Sequence, residues 1–357
     1  MMSRVFVTDC EGPISKNDNA FELAKLFIPN GARFFKALSQ YDDVLAYLEK
    51  RPDYSAGYTL KLIAPFLKAY GATNQAIEDY SGKHLKLIDD AYDALHHISS
   101  LLPTYIVSTS YEQYVEALCR VLDFHTSNTF STHLDLDKFR LEEKESARLK
   151  EIREQVDQLS EIDVPDWAKT ISDLPTDARS TVKKLDAFFF SELPEMGAGR
   201  LLTDIQPIGS RQKEETLEKI RRRHEPPRTQ LMYVGDSITD MNALQNVRRE
   251  GGLAVSHNGN QYAVREADIS VLSSSGLPIA ALGEVFAKSG RTGALRLAET
   301  WPDMANDQVS RELAERLLGM EEHPRVRRIT RNNLRELTEA SNQFRRTVRG
   351  HTVGALG

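Results

Sequence analysis

Two short apolar runs, each ending in acidic residues and each followed by helical periodicity, restrict this chain to a narrow class of folds. The first is Arg4-Val5-Phe6-Val7, running into Thr8-Asp9-Cys10-Glu11-Gly12-Pro13. Its β-branched and aromatic residues predict a buried strand, and Gly-Pro stops that strand sharply. Asp9 and Glu11 therefore lie at a strand's C-terminal end, where open parallel sheets place their ligands. In strand geometry the two acids share one face, although the turn can re-aim Glu11. Asp9 is a candidate nucleophile or metal ligand and Glu11 a candidate acid/base; ordinary turn-forming acids are the competing explanation. The second run is Gln230-Leu231-Met232-Tyr233-Val234, which leads through Gly235-Asp236-Ser237-Ile238-Thr239-Asp240 into a helix. Asp236 sits on the loop and Asp240 near the first helical turn, and Gly235 permits close backbone approach. Two acids converging at a strand end repel unless a cation lies between them, and a hard divalent ion answers that need.

A third strand reads at Tyr105-Ile106-Val107, ending in Ser108-Thr109-Ser110, before a helix with apolar Tyr114, Val115, Leu118 and Val121. The hydroxyls could bind phosphate together with the helix N-terminal amides, or simply cap the helix. Leu253-Ala254-Val255 and Ile269-Ser270-Val271-Leu272 read as further strands, and Thr126–Leu136 as a short strand or hairpin. Strands alternating with helices predict an α/β fold with a doubly wound parallel sheet. Lys213 begins or precedes a helix through Ile220, with Arg211 as a nearby rival cation.

The remaining sequence is helical and falls into three blocks. Residues 15–87 carry helical patterns over about Ala32–Lys50, Ala56–Tyr70 and Thr73–Tyr80, with no convincing strand. Residues 141–199 place Leu149, Ile152, Val156 and Leu159 at three- and four-residue spacing amid dense charge. Such a stripe predicts an amphipathic helix that leaves the sheet and packs as a helical hairpin, or against a second copy or another protein. Phe188-Phe189-Phe190, in a second helical run of that block, reads as packing rather than a substrate box. From Leu277 onward the chain reads as helical, and residues 291–357 form an extension rich in arginine, with Arg325, Arg327, Arg328, Arg331, Arg335, Arg345, Arg346 and Arg349. A solvated helical face is the expectation for these arginines, with docking to an acidic partner as the alternative. The sheet-forming core is then 1–14, 88–140 and 200–290.

A net charge of −6 gives no global basis for nucleic-acid binding. Two cysteines make no disulfide framework and suit a reducing compartment. No apolar stretch approaches the roughly 18–20 residues needed to span a bilayer, and the first residues lack the pattern of a signal peptide. A cytoplasmic protein without membrane insertion is expected.

Taken in order, these stretches resemble the haloacid dehalogenase superfamily of phosphatases and phosphotransferases, over about Arg4–Pro13, Leu101–Leu122 and Ile208–Gly276. The four motifs are Asp9-Cys10-Glu11-Gly12, the strand ending in Ser108, Lys213, and Gly235-Asp236-Ser237-Ile238-Thr239-Asp240. The stretch Asp9–Phe21 also resembles archaeal proteins named subunit R of an energy-converting hydrogenase. The superfamily resemblance implies attack by Asp9 on phosphorus to form an aspartyl-phosphate. It implies Mg²⁺ held by Asp9, the Glu11 backbone carbonyl and Asp236, with Asp240 as a further ligand or support. Ser108, with Thr109 beside it, and Lys213 are implied to bind the phosphoryl group of a small phosphorylated substrate. Phosphatases of the superfamily usually carry Asp where this chain has Glu11, which protonates the leaving oxygen and then activates water. A mispositioned glutamate would leave a phosphotransferase or a regulatory or assembly subunit instead. The block at 15–87 resembles the mobile helical cap of many members, and 141–199 lies where others carry a second cap.

Overall fold

The structure, a computed structural model, describes residues 3–165, 167–224, 229–303, 308–350 and 353–355. Among the described residues, seven strands form one sheet in the order β3-β2-β1-β4-β5-β6-β7. They are β1 (Arg4–Thr8), β2 (Thr104–Tyr111), β3 (Thr129–Thr132), β4 (Gln230–Gly235), β5 (Leu253–His257), β6 (Ile269–Leu272) and β7 (Arg325–Arg328). All pairs are parallel except β6 with β7. The expected doubly wound α/β class is therefore found.

Strand alternation divides the sheet's side chains between two cores. Phe6, Ile106, Met232 and Val255 pack on one face with α5 (Ala91–Ser99), α6 (Glu112–Leu122) and α13 (Leu277–Thr300). Val5, Val7, Val107, Leu231 and Ala254 pack on the other with α10 (Ser210–Arg223), α11 (Met241–Arg249) and α12 (Gln261–Glu266). Helices cover both faces, which is why the strands read as continuous apolar runs.

The two helical blocks share one apolar core. After β1 come α1 (Asn19–Phe27), α2 (Gly31–Asp43), a π-helical turn at Val44–Glu49, α3 (Thr59–Ala69) and α4 (Asn74–His84). After β3 come α7 (Glu143–Asp157), α8 (Thr176–Ala187), a second π-helical turn at Phe188–Glu192, and α9 (Arg200–Asp204). Leu149, Ile152 and Val156 of α7 are buried in the same cluster as Phe34, Leu38 and Phe66 of the first block. The stripe that read as a hairpin or partner surface thus packs within the chain, against α2 and α3. Phe188 and Phe189 pack on Phe66, and Phe189 stacks on Tyr41, so the triplet serves packing, while Phe190 lies half-exposed under the Arg51 guanidinium.

The C-terminal block departs from its all-helical expectation. α14 (Arg311–Leu318) is followed by β7, which pairs Val326 with Val271, and then by α15 (Leu334–Arg349). A four-residue strand of three arginines and one valine has no apolar alternation, so its strand identity comes from the unpaired edge of β6. Residues 304–307, 351–352 and 356–357 of that block lie outside the described residues. Among the described residues no helix is long and apolar enough to cross a membrane.

Candidate active site

β1 and β4 are neighbours in register, Thr8 beside Val234, so the residues after them emerge together at one end of the sheet. The Asp9 amide still donates to Val234 O at 2.8 Å, extending the ladder by one residue. The chain then turns tightly, with Ile14 and Ser15 amides both donating to Cys10 O. Gly12 makes this turn possible: its φ of +99° lies where side chains are strained, and a Cβ there would strike the Asp236 carboxylate.

Asp9 accepts from the Cys10 amide on Oδ1 at 2.6 Å and from Lys213 Nζ on Oδ2 at 2.6 Å. Lys213 lies in the first turn of α10, fully buried, and also donates to Asp240 Oδ1 at 2.7 Å. Arg211, the rival, is partly exposed and pairs with Asp53 and Glu215 instead. Two residues apart on one helix, the two cations are separated by about 200° of rotation and so point to nearly opposite faces.

Asp240 is saturated with donors. Its Oδ1 accepts from Lys213 and Tyr233, and its Oδ2 from the amides of Asp236 and Ser237. Burial disfavours its charge, but the Lys213 ammonium and these donors outweigh that and hold its pKa low. Asp9 shares the same ammonium with fewer donors. Burial, with Asp240 and Asp236 adding repulsion, outweighs Lys213 and pushes Asp9 up to about 7.

Glu11 turns toward the first helical block, where its Oε1 accepts from the Asn19 amide at 2.6 Å. Burial, reinforced by the charge of Asp18, drives its pKa well above the ordinary carboxylate value, although Arg349 and this hydrogen bond oppose the shift. Asp18 caps α1 through Phe21 N. Asn17 ties Glu22, His84 O and the Lys86 amide together, and the Asn19 side chain bonds Ser81. Of those three polar residues only Asp18 lines the cavity described next.

A cavity of about 110 Å³ opens between the sheet end and the first helical block, with Asp9, Glu11, Asp236, Thr109 and Ser110 on one side. Phe35, Asp42, Asp43 and Thr59 of the helical block line the other. Ser108 is fully buried beneath and exchanges hydrogen bonds with Ser110, accepting from its amide and donating to its Oγ. The hydroxyl cluster lies within β2 rather than capping α6, whose N-cap is Tyr111 without a side-chain bond. β2 stays extended for four residues beyond Val107, which is why Ser110 reaches the cavity and Ser108 does not.

Sequence reasoning missed the wall contributed by α15. Arg345 and Arg349 both bond Asp236 Oδ2, Arg349 at 2.9 Å, and Arg345 also bonds Asp236 O at 3.0 Å. Arg349 further donates to Lys16 O and Asn17 O, strapping the helix to the loop after β1. These two arginines are therefore buried, in correction of the solvated-face expectation, while Arg335 and Arg346 do face solvent. The signal was present in the spacing: Leu337, Ser341, Arg345 and Arg349 recur every fourth residue, on one helix face.

The donor chemistry fits a divalent cation. Carboxylate oxygens of Asp9, Asp236 and Asp240 lie within 4.8 Å of one another, all buried. Asp236 Oδ1 is buried and has no hydrogen-bond partner among the described residues, while its Oδ2 takes both arginines. An orphaned carboxylate oxygen beside a second carboxylate is costly unless a cation completes it, and an all-oxygen set suits Mg²⁺.

No family model matches the chain, and no curated protein matches it. Among solved structures, gene product AF1437 from Archaeoglobus fulgidus aligns over 100% of this chain and 99% of its own, with a TM-score of 0.81 and 26% identity. A phosphoserine phosphatase in apo form aligns over 77% of this chain and 96% of its own, with a TM-score of 0.43 and 13% identity. A substrate-bound phosphoserine phosphatase complex gives 0.44 and 13%, over 77% and 95%. These neighbours give the narrower hydrogenase-subunit resemblance no support. The chain has an α/β fold, a mostly parallel seven-stranded sheet with helices on both faces, which it shares with the archaeal gene product.

Proposed function

We propose that the protein is a Mg²⁺-dependent phosphomonoester hydrolase that works through a phosphorylated Asp9. The observation that carries this reading is the pairing at one cavity of the Lys213-bound Asp9 carboxylate with the orphaned Oδ1 of Asp236. Asp9, Asp236 and the Glu11 backbone carbonyl would hold the ion, and Asp240 would act through Lys213, since its own oxygens are already occupied. When bound, Mg²⁺ offsets the repulsion between a carboxylate and an anionic ester.

In the first half-reaction Asp9 attacks phosphorus, the bond to the leaving oxygen breaks, and the Glu11 carboxyl donates its proton to that oxygen. Burial of Glu11, which raises its pKa above the ordinary carboxylate value, favours the protonated form that this step requires. In the second, Glu11, now a carboxylate, takes a proton from the water that attacks the acyl-phosphate, releasing phosphate and restoring both side chains. Lys213 keeps positive charge beside Asp9 throughout. The helical body over the cavity acts as the cap that excludes bulk water.

The test is phosphate release from a panel of phosphomonoesters, with Mg²⁺ and with EDTA, for wild type and Glu11→Gln. We expect turnover only with Mg²⁺ and a loss in Glu11→Gln of about 10²–10⁴-fold. Wild type that transfers the phosphoryl group to an added alcohol but never to water would replace hydrolysis by phosphotransfer. The position of Asp9 at about 7 gives a further expectation. A proton on Asp9 competes with the cation, so Mg²⁺ affinity should fall, by up to about tenfold per unit, as pH drops below 7. Titration calorimetry in buffers of different ionisation enthalpy would register the released proton. Affinity independent of pH between 8 and 6 would remove Asp9 from the ligand set.

A further inference from the structure

α15 is anchored to the core by residues other than its arginines. Leu337 is buried on its inner face, and Ser341 Oγ donates to Gly259 O at 2.6 Å. Arg345 and Arg349 follow at the same spacing and project from that face into the cavity, with side chains 3% and 5% exposed. Six acidic residues line this space: Asp9, Glu11, Asp18, Asp42, Asp43 and Asp236. Among the described residues, the two tail arginines are the only cationic side chains that line it. Lys213 lies behind Asp9, with its ammonium bonded to Asp9 and Asp240. An anion entering the cavity therefore meets carboxylates on the sheet side and on the helical side, and among the described lining residues it meets positively charged side chains only on α15. Guanidinium groups match the geometry of phosphate oxygens and bind them two at a time. Of the five N–H groups of Arg349, three are accounted for by Asp236, Lys16 O and Asn17 O.

We propose that Arg345 and Arg349 are substrate-binding residues, a guanidinium pair delivered by the C-terminal helix that takes the anionic phosphate group of the substrate. The inference rests on the phosphatase reading for the identity of the anion. It makes α15 a wall of the active site, and it explains why a cavity lined by six acidic residues can admit a phosphate ester. Both arginines share one oxygen of Asp236, leaving the other for the cation, so phosphate and cation are served by opposite sides of the same carboxylate.

Inorganic phosphate is the probe, titrated calorimetrically into the full chain at saturating Mg²⁺. The proteins are wild type, Arg345→Lys, Arg349→Lys, the double Arg→Gln variant, and Arg346→Gln as an exposed neighbour. We expect each Lys variant to bind phosphate about tenfold more weakly, the double variant about a hundredfold, and Arg346→Gln as wild type. Mg²⁺ affinity, measured without phosphate, should change far less. The Lys variants keep the charge opposite Asp236, so they report even if the double variant does not fold. Unaltered phosphate affinity in the folded Lys variants overturns the proposal. So does a loss that only parallels an equal loss of Mg²⁺ affinity, which would make the arginines supports of Asp236. Wild type that binds phosphate through these arginines but hydrolyses no ester would sink the hydrolase reading and leave the inference standing. Turnover combined with unaltered phosphate affinity in the variants would do the reverse.

Discussion

Asp9→Asn should abolish turnover, by at least about a thousandfold, while the protein remains folded. The amide has the carboxylate's shape and can still accept from the Cys10 amide, so the turn after β1 is kept. It cannot attack phosphorus as an anion. It also removes one of three buried carboxylates that crowd within 4.8 Å, so the metal-free variant should unfold at the same or a higher temperature than wild type. The measurement is steady-state phosphate release on the best ester of the panel, paired with acid quench of the reaction and mass analysis of the peptide bearing Asp9. Wild type should show a phosphorylated peptide and the variant none. A variant keeping a tenth of wild-type turnover would end the phospho-aspartate mechanism.

Lys213→Met should have the largest effect on stability. The side chain is fully buried, and its ammonium bonds both Asp9 and Asp240. Breaking a buried pair from one side leaves uncompensated charge and costs about 3–5 kcal/mol. The two acids respond differently. Asp240 keeps Tyr233 and two amides, whereas among the described residues Asp9 keeps only the Cys10 amide and takes up a proton instead. Its folded pKa already lies near 7 and would rise further without the ammonium, while in the unfolded chain it returns to about 3.8. A group raised on folding destabilises the native state above its folded pKa and is relieved as pH falls toward the unfolded value. The deficit of Lys213→Met, read from urea denaturation in EDTA, should therefore be greater at pH 8 than at pH 6. An equal deficit at both would mean that Asp9 does not carry the charge imbalance. Turnover should be lost at either pH.

Motifs close to a strand end were legible because their geometry is local. Asp9 follows an apolar run that Gly-Pro stops soon after, and Asp236 follows an apolar run closed by Gly235, so the sequence placed both acids at the carboxyl ends of strands. That β1 and β4 are neighbours, which brings the two acids into one cavity, is a property of strand order and is carried by no local pattern. Lys213 could be distinguished from Arg211 only once α10 had its rotation about its own axis.

By itself the sequence determined the alternation of strands and helices, the positions of the acids, and the helical character of the two long insertions. Short-range periodicity and turn chemistry act within a few residues, and each of these features is encoded at that range. Only tertiary structure decided that α7 buries its stripe against α2 and α3, and that β7 pairs with the free edge of β6. It alone decided that Arg345 and Arg349, more than a hundred residues beyond Asp236, reach back to share its carboxylate. A charged residue on a helix carries no local mark of whether its partner is water or a buried acid. That choice depends on where the fold docks the helix, and for α15 the docking is set by Leu337, Ser341 and the loop at Gly259.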